Sequence, residues 1–139
     1  MIERIDHIGI AVESIEKARS FYESLGLAVE AIEEVPQEGV RVALIQVGES
    51  KIELLEATSD DSPIAKFLAK RGQGLHHLCL STGDINADDA ALREQGVNLL
   101  RERPTRGAGG CWVQFVHPKS AAGVLVEISE APRDGGLTC

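Results

Sequence analysis

The chain has 139 residues, 43% of them hydrophobic, and a formal net charge of -8. That length holds one domain, or two short modules sharing a sheet, around a real core. The acidic balance argues against a general nucleic-acid binder, and no apolar run approaches the roughly 20 residues needed to cross a bilayer.

Met1-Ile2-Glu3-Arg4-Ile5-Asp6 carries neither a signal-peptide h-region nor an Arg-rich transit pattern. Three widely spaced cysteines, Cys79, Cys111 and Cys139, do not read as a disulfide framework. A cytoplasmic, reducing compartment is the simplest expectation.

In chain order, an apolar strand around His7-Ile8-Gly9-Ile10 leads to Ser14-Ile15, where Ser14 can cap a helix by accepting from an orphan amide of its first turn. Ile15, Ala18, Phe21, Tyr22 and Leu25 form that helix's apolar stripe, and Gly26 suits a left-handed exit. The period then falls to two, predicting strands near residues 28–34, 40–47 and 51–56. Ser62-Pro63 opens a connecting helix through Ile64, Phe67 and Leu68 that stops at Gly72.

The pattern then recurs with an offset of 70: His77-Leu78-Cys79-Leu80 answers His7-Ile8-Gly9-Ile10, Asp84-Ile85 answers Ser14-Ile15, and Gly96 answers Gly26. Strands are expected near 97–101, 111–117 and 123–129. The fold class predicted is α+β, two βαβββ modules in tandem with the active site between them. Residues 1–58 form the first module, 59–74 the helical connector and 75–132 the second, all one domain, with 133–139 a frayed tail.

Strand parity locates the polar residues. Ile8, Ile10 and Val12 share one face of the first strand, and His7 lies opposite with Gly9 and Ala11. Leu78 and Leu80 share one face of the matching strand, and His77 lies opposite with Cys79 and Ser81. Glu53 interrupts Ile52-Glu53-Leu54-Leu55, and Glu127 interrupts Val124-Leu125-Val126-Glu127-Ile128.

A carboxylate inside an apolar strand is costly to desolvate unless it is paired or bound to a cation. A lone strand His is usually packed or hydrogen-bonded, and a lone Glu usually solvated. Four such residues related by a repeat and agreeing in parity instead suggest a mixed nitrogen and oxygen ligand set for a divalent transition metal: His7, Glu53, His77 and Glu127. His76 falls on the leucine face and is expected to be structural or to support a ligand. His117, at a turn, is a possible substrate-side group.

On these modules and this His/Glu set the chain resembles the vicinal oxygen chelate (glyoxalase-like) superfamily. Within it the chain is similar to the methylmalonyl-CoA epimerase family, through Asp61-Ser62-Pro63-Ile64-Ala65-Lys66-Phe67-Leu68, Gly74-Leu75-His76-His77, and His117-Pro118-Lys119-Ser120 followed by Gly123-Val124-Leu125-Val126-Glu127. The resemblance covers residues 3 to 131. It implies an isomerase interconverting (R)- and (S)-methylmalonyl-CoA through an enolate, in which a divalent ion stabilises charge and carboxylates move the proton. It favours Co²⁺, with Mn²⁺, Ni²⁺ or Zn²⁺ as substitutes, and a cytoplasmic homodimer acting in propionate metabolism.

Some of these epimerases carry Gln at the position of Glu53 and a Glu at that of Val42. Here the carboxylate at 42 is absent, so Glu53 and Glu127 are expected to act as both ligands and bases, with Glu33, Glu34 and Glu38 as weaker candidates. Cations for the acyl-CoA substrate are sought in Lys119, with Ser120 beside it, and Arg106; Arg101, Arg103, Lys66, Lys70 and Arg71 are further basic residues nearby. Gly107-Ala108-Gly109-Gly110 could admit ligand, although a Gly cluster alone is a weak signal.

The rival readings are a bacterial-type glyoxalase I and a metal-free small-molecule-binding protein. The first is disfavoured by the His117–Gly123 segment, the second by the survival of all four ligand candidates in register. Ring-cleaving dioxygenases, which use two His and one Glu, are disfavoured by Glu53.

Overall fold

Where the apolar period changes, the backbone changes with it. The computed structural model describes residues 1–133. The expected tail beyond Arg133, with Cys139, lies outside the described residues.

The strands and helices run β1 (Ile2–Ala11), α1 (Ile15–Ser24), β2 (Val29–Val35), β3 (Val40–Val47), β4 (Ser50–Ala57), α2 (Pro63–Arg71) and β5 (Gly74–Thr82). They continue with α3 (Ile85–Glu94), β6 (Thr105–Arg106), β7 (Trp112–Val116) and β8 (Val126–Glu130). The α+β class and the strand–helix–strands repeat are as expected from the sequence.

The helix starts follow from the capping residues. Ser14 Oγ accepts from the Lys17 amide at 3.3 Å, Ser62 Oγ from Ala65 at 3.0 Å, and Asp84 Oδ1 from Ala87 at 3.1 Å. At the other ends of α1 and α3, Gly26 and Gly96 hold φ of 85° and 77°. A side chain there would be strained, so both copies use glycine to turn back to a strand.

The chain divides into two compact units: His7–His76, and Met1–Asp6 with the chain from His77 onward. Strand β1 therefore starts in one unit and ends in the other. In the first unit the strand order is β2-β3-β4-β1, with β1 parallel to β4 and the other pairs antiparallel. One face of this sheet packs Val12, Ala43, Ile45 and Leu54 beneath Ile15, Ala18 and Tyr22 of α1 and its start. The opposite face packs Ala11, Val40 and Leu55 against Ile64, Phe67 and Leu68 of α2.

In the second unit the order is β5-β8-β7-β6, with β5 parallel to β8. One face is covered by α3, through Ile85 and Leu92 on Val116, Ile128, Leu99 and Trp112. The Met1 ammonium docks on this unit, 3.0 Å from Asp88 Oδ1 and 3.2 Å from Thr82 Oγ1.

One expected strand is reduced. Residues 97–101 make only an isolated bridge, Leu99 to Val116, and β6 is two residues long. The reason is a side chain that replaces the ladder. Gln114, 1% exposed, accepts from the Arg101 amide through Oε1 at 3.2 Å and donates through Nε2 to the Arg101 carbonyl at 3.0 Å. Arg93 Nη2 also donates to the carbonyls of Arg101 and Glu102, at 2.7 and 2.6 Å. Asp89 ties the cluster together, accepting from Gln114 Nε2 at 2.7 Å and from Arg93 Nε at 2.8 Å. Pro104, lacking an N–H, offers no donor to the ladder.

Cys79 is a buried free thiol, its Sγ 3.2 Å from Ser129 Oγ. No helix among the described residues is long and apolar enough to cross a membrane.

Candidate metal centre

In the first unit, the parallel register sets Gly9 opposite Glu53 and His7 opposite Lys51, so His7, Lys51 and Glu53 share a face. It is the face opposite α1. His7 Nδ1 and Glu53 Oε2 stand 3.1 Å apart. Both groups are largely withdrawn from water, their side chains 6% and 13% exposed.

The second unit repeats this arrangement. Cys79 lies opposite Glu127, two residues on from His77, as Gly9 is two residues on from His7. His77 Nε2 stands 3.3 Å from Glu127 Oε2, with side chains 10% and 14% exposed. The helix α3 covers the other face, so this pair also lies on the side of its sheet away from the helix. Each unit thus presents one imidazole and one carboxylate at the same register.

A largely buried imidazole and carboxylate in contact suit divalent-cation binding. The nitrogen and the oxygen offer lone pairs, and the carboxylate supplies the negative charge that offsets dehydration of the ion. Each pair by itself offers one nitrogen and one oxygen donor, residue types that fit a transition-metal ion.

The remaining candidates are distributed differently. His76 packs edge-to-face on Phe67, ring centroids 5.0 Å apart, in line with a structural role. His117 Nδ1 accepts from the Lys119 amide at 3.0 Å and so caps the turn Pro118–Ser120. Lys119 and Ser120 are exposed there, and Ser120 Oγ accepts from the Asn98 amide at 3.0 Å.

Arg106 pairs with Trp112 across β6 and β7, and its guanidinium carbon sits 4.3 Å from the Trp112 ring. That is the α3 side of the sheet, away from His77 and Glu127. Val42 lies opposite Leu55 on the His7 face, and Glu33, opposite Val42, shares that face from the exposed strand β2. Glu34 points to the other face and lies 3.9 Å from Arg41, and Glu38 is exposed in the turn after β2.

Sequence reading passed over Lys51, a lysine only 8% exposed on the His7 face. The alternation Lys51, Glu53, Leu55 was its available signal. It also passed over Phe115, set opposite Glu127 in the β7–β8 register.

The chain belongs to the glyoxalase/bleomycin resistance protein/dioxygenase superfamily, whose family model matches residues 6–115. Within that superfamily it is 41% identical over 133 residues to the ethylmalonyl-CoA/methylmalonyl-CoA epimerase of Cereibacter sphaeroides, covering 94% of this chain and 99% of that protein. It is 42% identical over 130 residues to the mitochondrial methylmalonyl-CoA epimerase of Homo sapiens, covering 92% of this chain and 74% of the human protein. A solved structure of a methylmalonyl-CoA epimerase in complex with methylmalonyl-CoA and NH₄⁺ superposes with a TM-score of 0.88 at 38% identity, over 96% of this chain and 97% of that one.

Proposed function

We propose that this chain interconverts (R)- and (S)-methylmalonyl-CoA, with His7, Glu53, His77 and Glu127 as the protein ligands of one divalent cation. The observation that carries the reading is the largely buried His–Glu pair that each unit presents at an identical strand register. The epimerases among the relatives support the substrate class.

The proton to be moved sits on the carbon between thioester and carboxylate, where two carbonyl groups already acidify it. A divalent ion held by these residues, Co²⁺ in first place and Mn²⁺, Ni²⁺ or Zn²⁺ as substitutes, would supply Lewis-acid stabilisation of charge developing on the substrate oxygens. The chain's own part is to hold the carbon between two carboxylates. Glu53 and Glu127 occupy equivalent positions in the repeat, so each is assigned one side of the planar enolate, removing or returning the proton.

Lys119, exposed on the turn after β7, is assigned to the CoA portion, with Ser120 beside it; Arg106 reaches CoA only by leaving Trp112. A homodimer, a cytoplasmic location and a place in propionate metabolism complete the proposal. The dimer is favoured by β2 and β6 standing at the ends of the described strand order, where a sheet can be extended by another chain.

The experiment is exchange of the C2 proton of methylmalonyl-CoA in D₂O, on chelator-treated protein and after Co²⁺ addition. Exchange that appears only with the ion is the expected result. No exchange under either condition, together with turnover of a glutathione hemithioacetal, would replace this reading with a glyoxalase.

A further inference from the structure

Arg101 was only one of several basic residues near the loops of the second unit, but its setting is unlike theirs. Phe115 lies opposite Glu127, and Thr105 lies opposite Val113, so Thr105, Val113, Phe115 and Glu127 share one face of the sheet. The guanidinium carbon of Arg101 stands over this face, 4.8 Å from the Phe115 ring centroid, and its Nη1 donates to Thr105 Oγ1. Phe115 is the cross-strand neighbour of Glu127, so Arg101 is a cation held one side chain away from a proposed metal ligand and base.

The main chain beneath it is held from the other face. Gln114 takes both the amide and the carbonyl of Arg101, and Arg93 takes the carbonyl as well. The side chain is thereby directed onto the Glu127 face before any ligand arrives. Preorganisation of this kind lowers the ordering cost of binding.

Arg101 also lacks the counter-ion that four other arginines have. Arg4, Arg19, Arg41 and Arg93 each lie within 4.0 Å of a carboxylate. Among the described residues Arg101 has none, in a chain with 22 acidic residues. Only its Nη1 is engaged by a described hydrogen bond, to Thr105 Oγ1, and a guanidinium fork matches a carboxylate or phosphate in bidentate geometry.

We propose that Arg101 is a substrate-binding residue that recognises an anionic group of the acyl-CoA. The inference rests on the acyl-CoA reading above and adds to it the residue that reads the charge. Two sources share this chemistry, the free carboxylate of the malonyl group and the phosphates of CoA.

The test is calorimetric titration of metal-loaded wild type, Arg101→Gln and Arg101→Met with three thioesters. Methylmalonyl-CoA has both kinds of anion, propionyl-CoA only phosphates, and methylmalonyl-pantetheine only the carboxylate. The lock grips main-chain atoms, so both variants keep it, and either one that retains the wild-type melting transition suffices. Loss of a charge-assisted pair is expected to weaken binding about tenfold or more.

A loss confined to the two methylmalonyl thioesters assigns Arg101 to the carboxylate, and a loss confined to the two CoA esters assigns it to phosphate. Binding of all three within about twofold of wild type overturns the proposal while leaving the epimerase reading intact. A wild type that binds none of them overturns the acyl-CoA reading itself, and this assignment with it.

Discussion

Replacing Gln114 with Ala tests the device that holds the segment before β6. The side chain makes four hydrogen bonds: two donated by Nε2, to Asp89 Oδ1 and the Arg101 carbonyl, and two accepted by Oε1, from the Arg101 and Phe115 amides. After truncation Asp89 and the Arg101 carbonyl still have Arg93. The two amides lose the acceptor they share. An orphaned buried donor costs about 1–3 kcal/mol, partly relieved if water enters the space. Two of them, with a site that is 1% exposed in the native chain, give an expected loss of about 3 kcal/mol. Urea unfolding followed by the fluorescence of Trp112, the only tryptophan, measures it directly. A change below about 0.5 kcal/mol, the range of ordinary surface substitutions, would show that this network does not hold the segment.

Four further outcomes are expected. His7→Ala and His77→Ala should each strongly weaken Co²⁺ binding in a calorimetric titration, while His76→Ala, which loses its contact with Phe67, should lower stability with little effect on metal affinity; the reverse ordering would place the ligand on the other parity. Glu53→Gln should keep the metal through its amide oxygen yet lose most epimerisation, with one-sided C2 exchange of a single epimer surviving through Glu127. Full activity in Glu53→Gln would remove Glu53 as a base.

Burial pushes the Asp89 carboxyl up, but hydrogen bonds from Arg93 and Gln114 together pull it further down, leaving it below the ordinary 3.8. A carboxyl depressed in the folded state adds stability that is present above its unfolded value and lost as pH falls through the folded one. The stability gap between wild type and Asp89→Asn should therefore be steady above about pH 5 and narrow below 3.8 in pH-dependent urea titrations. Finally, Ser14→Ala should cost about 1 kcal/mol by removing the cap of α1, and an unchanged urea midpoint would refute that role.

Much of the site was legible because a strand alternates sides with every residue. Once His7 and His77 occupy matching positions in a repeat and the bulky apolar residues belong under a helix, the imidazoles have only the other face left. Glu53 and Glu127 obey the same rule, and Ser14, Ser62 and Asp84 mark helix starts because the chemistry of a cap is local. Gly26 and Gly96 likewise announce their turns.

The stretch from residue 99 to 111 follows no such period. At Arg101 and Glu102 its main chain is held by side chains from α3 and β7, so the local pattern does not say which way an arginine there points. Arg106 turns toward Trp112 on the α3 side, and Arg101 toward Phe115 beside Glu127. The burial of Lys51 belongs with these, since a lysine in an alternating strand ordinarily faces water. Local repetition was enough to determine the modules, their helix ends and the parity of the four metal-ligand candidates. Tertiary structure decided which cations stand on the face with the carboxylates, because that depends on side-chain contacts of Gln114, Arg93 and Phe115 with a segment that has no period of its own.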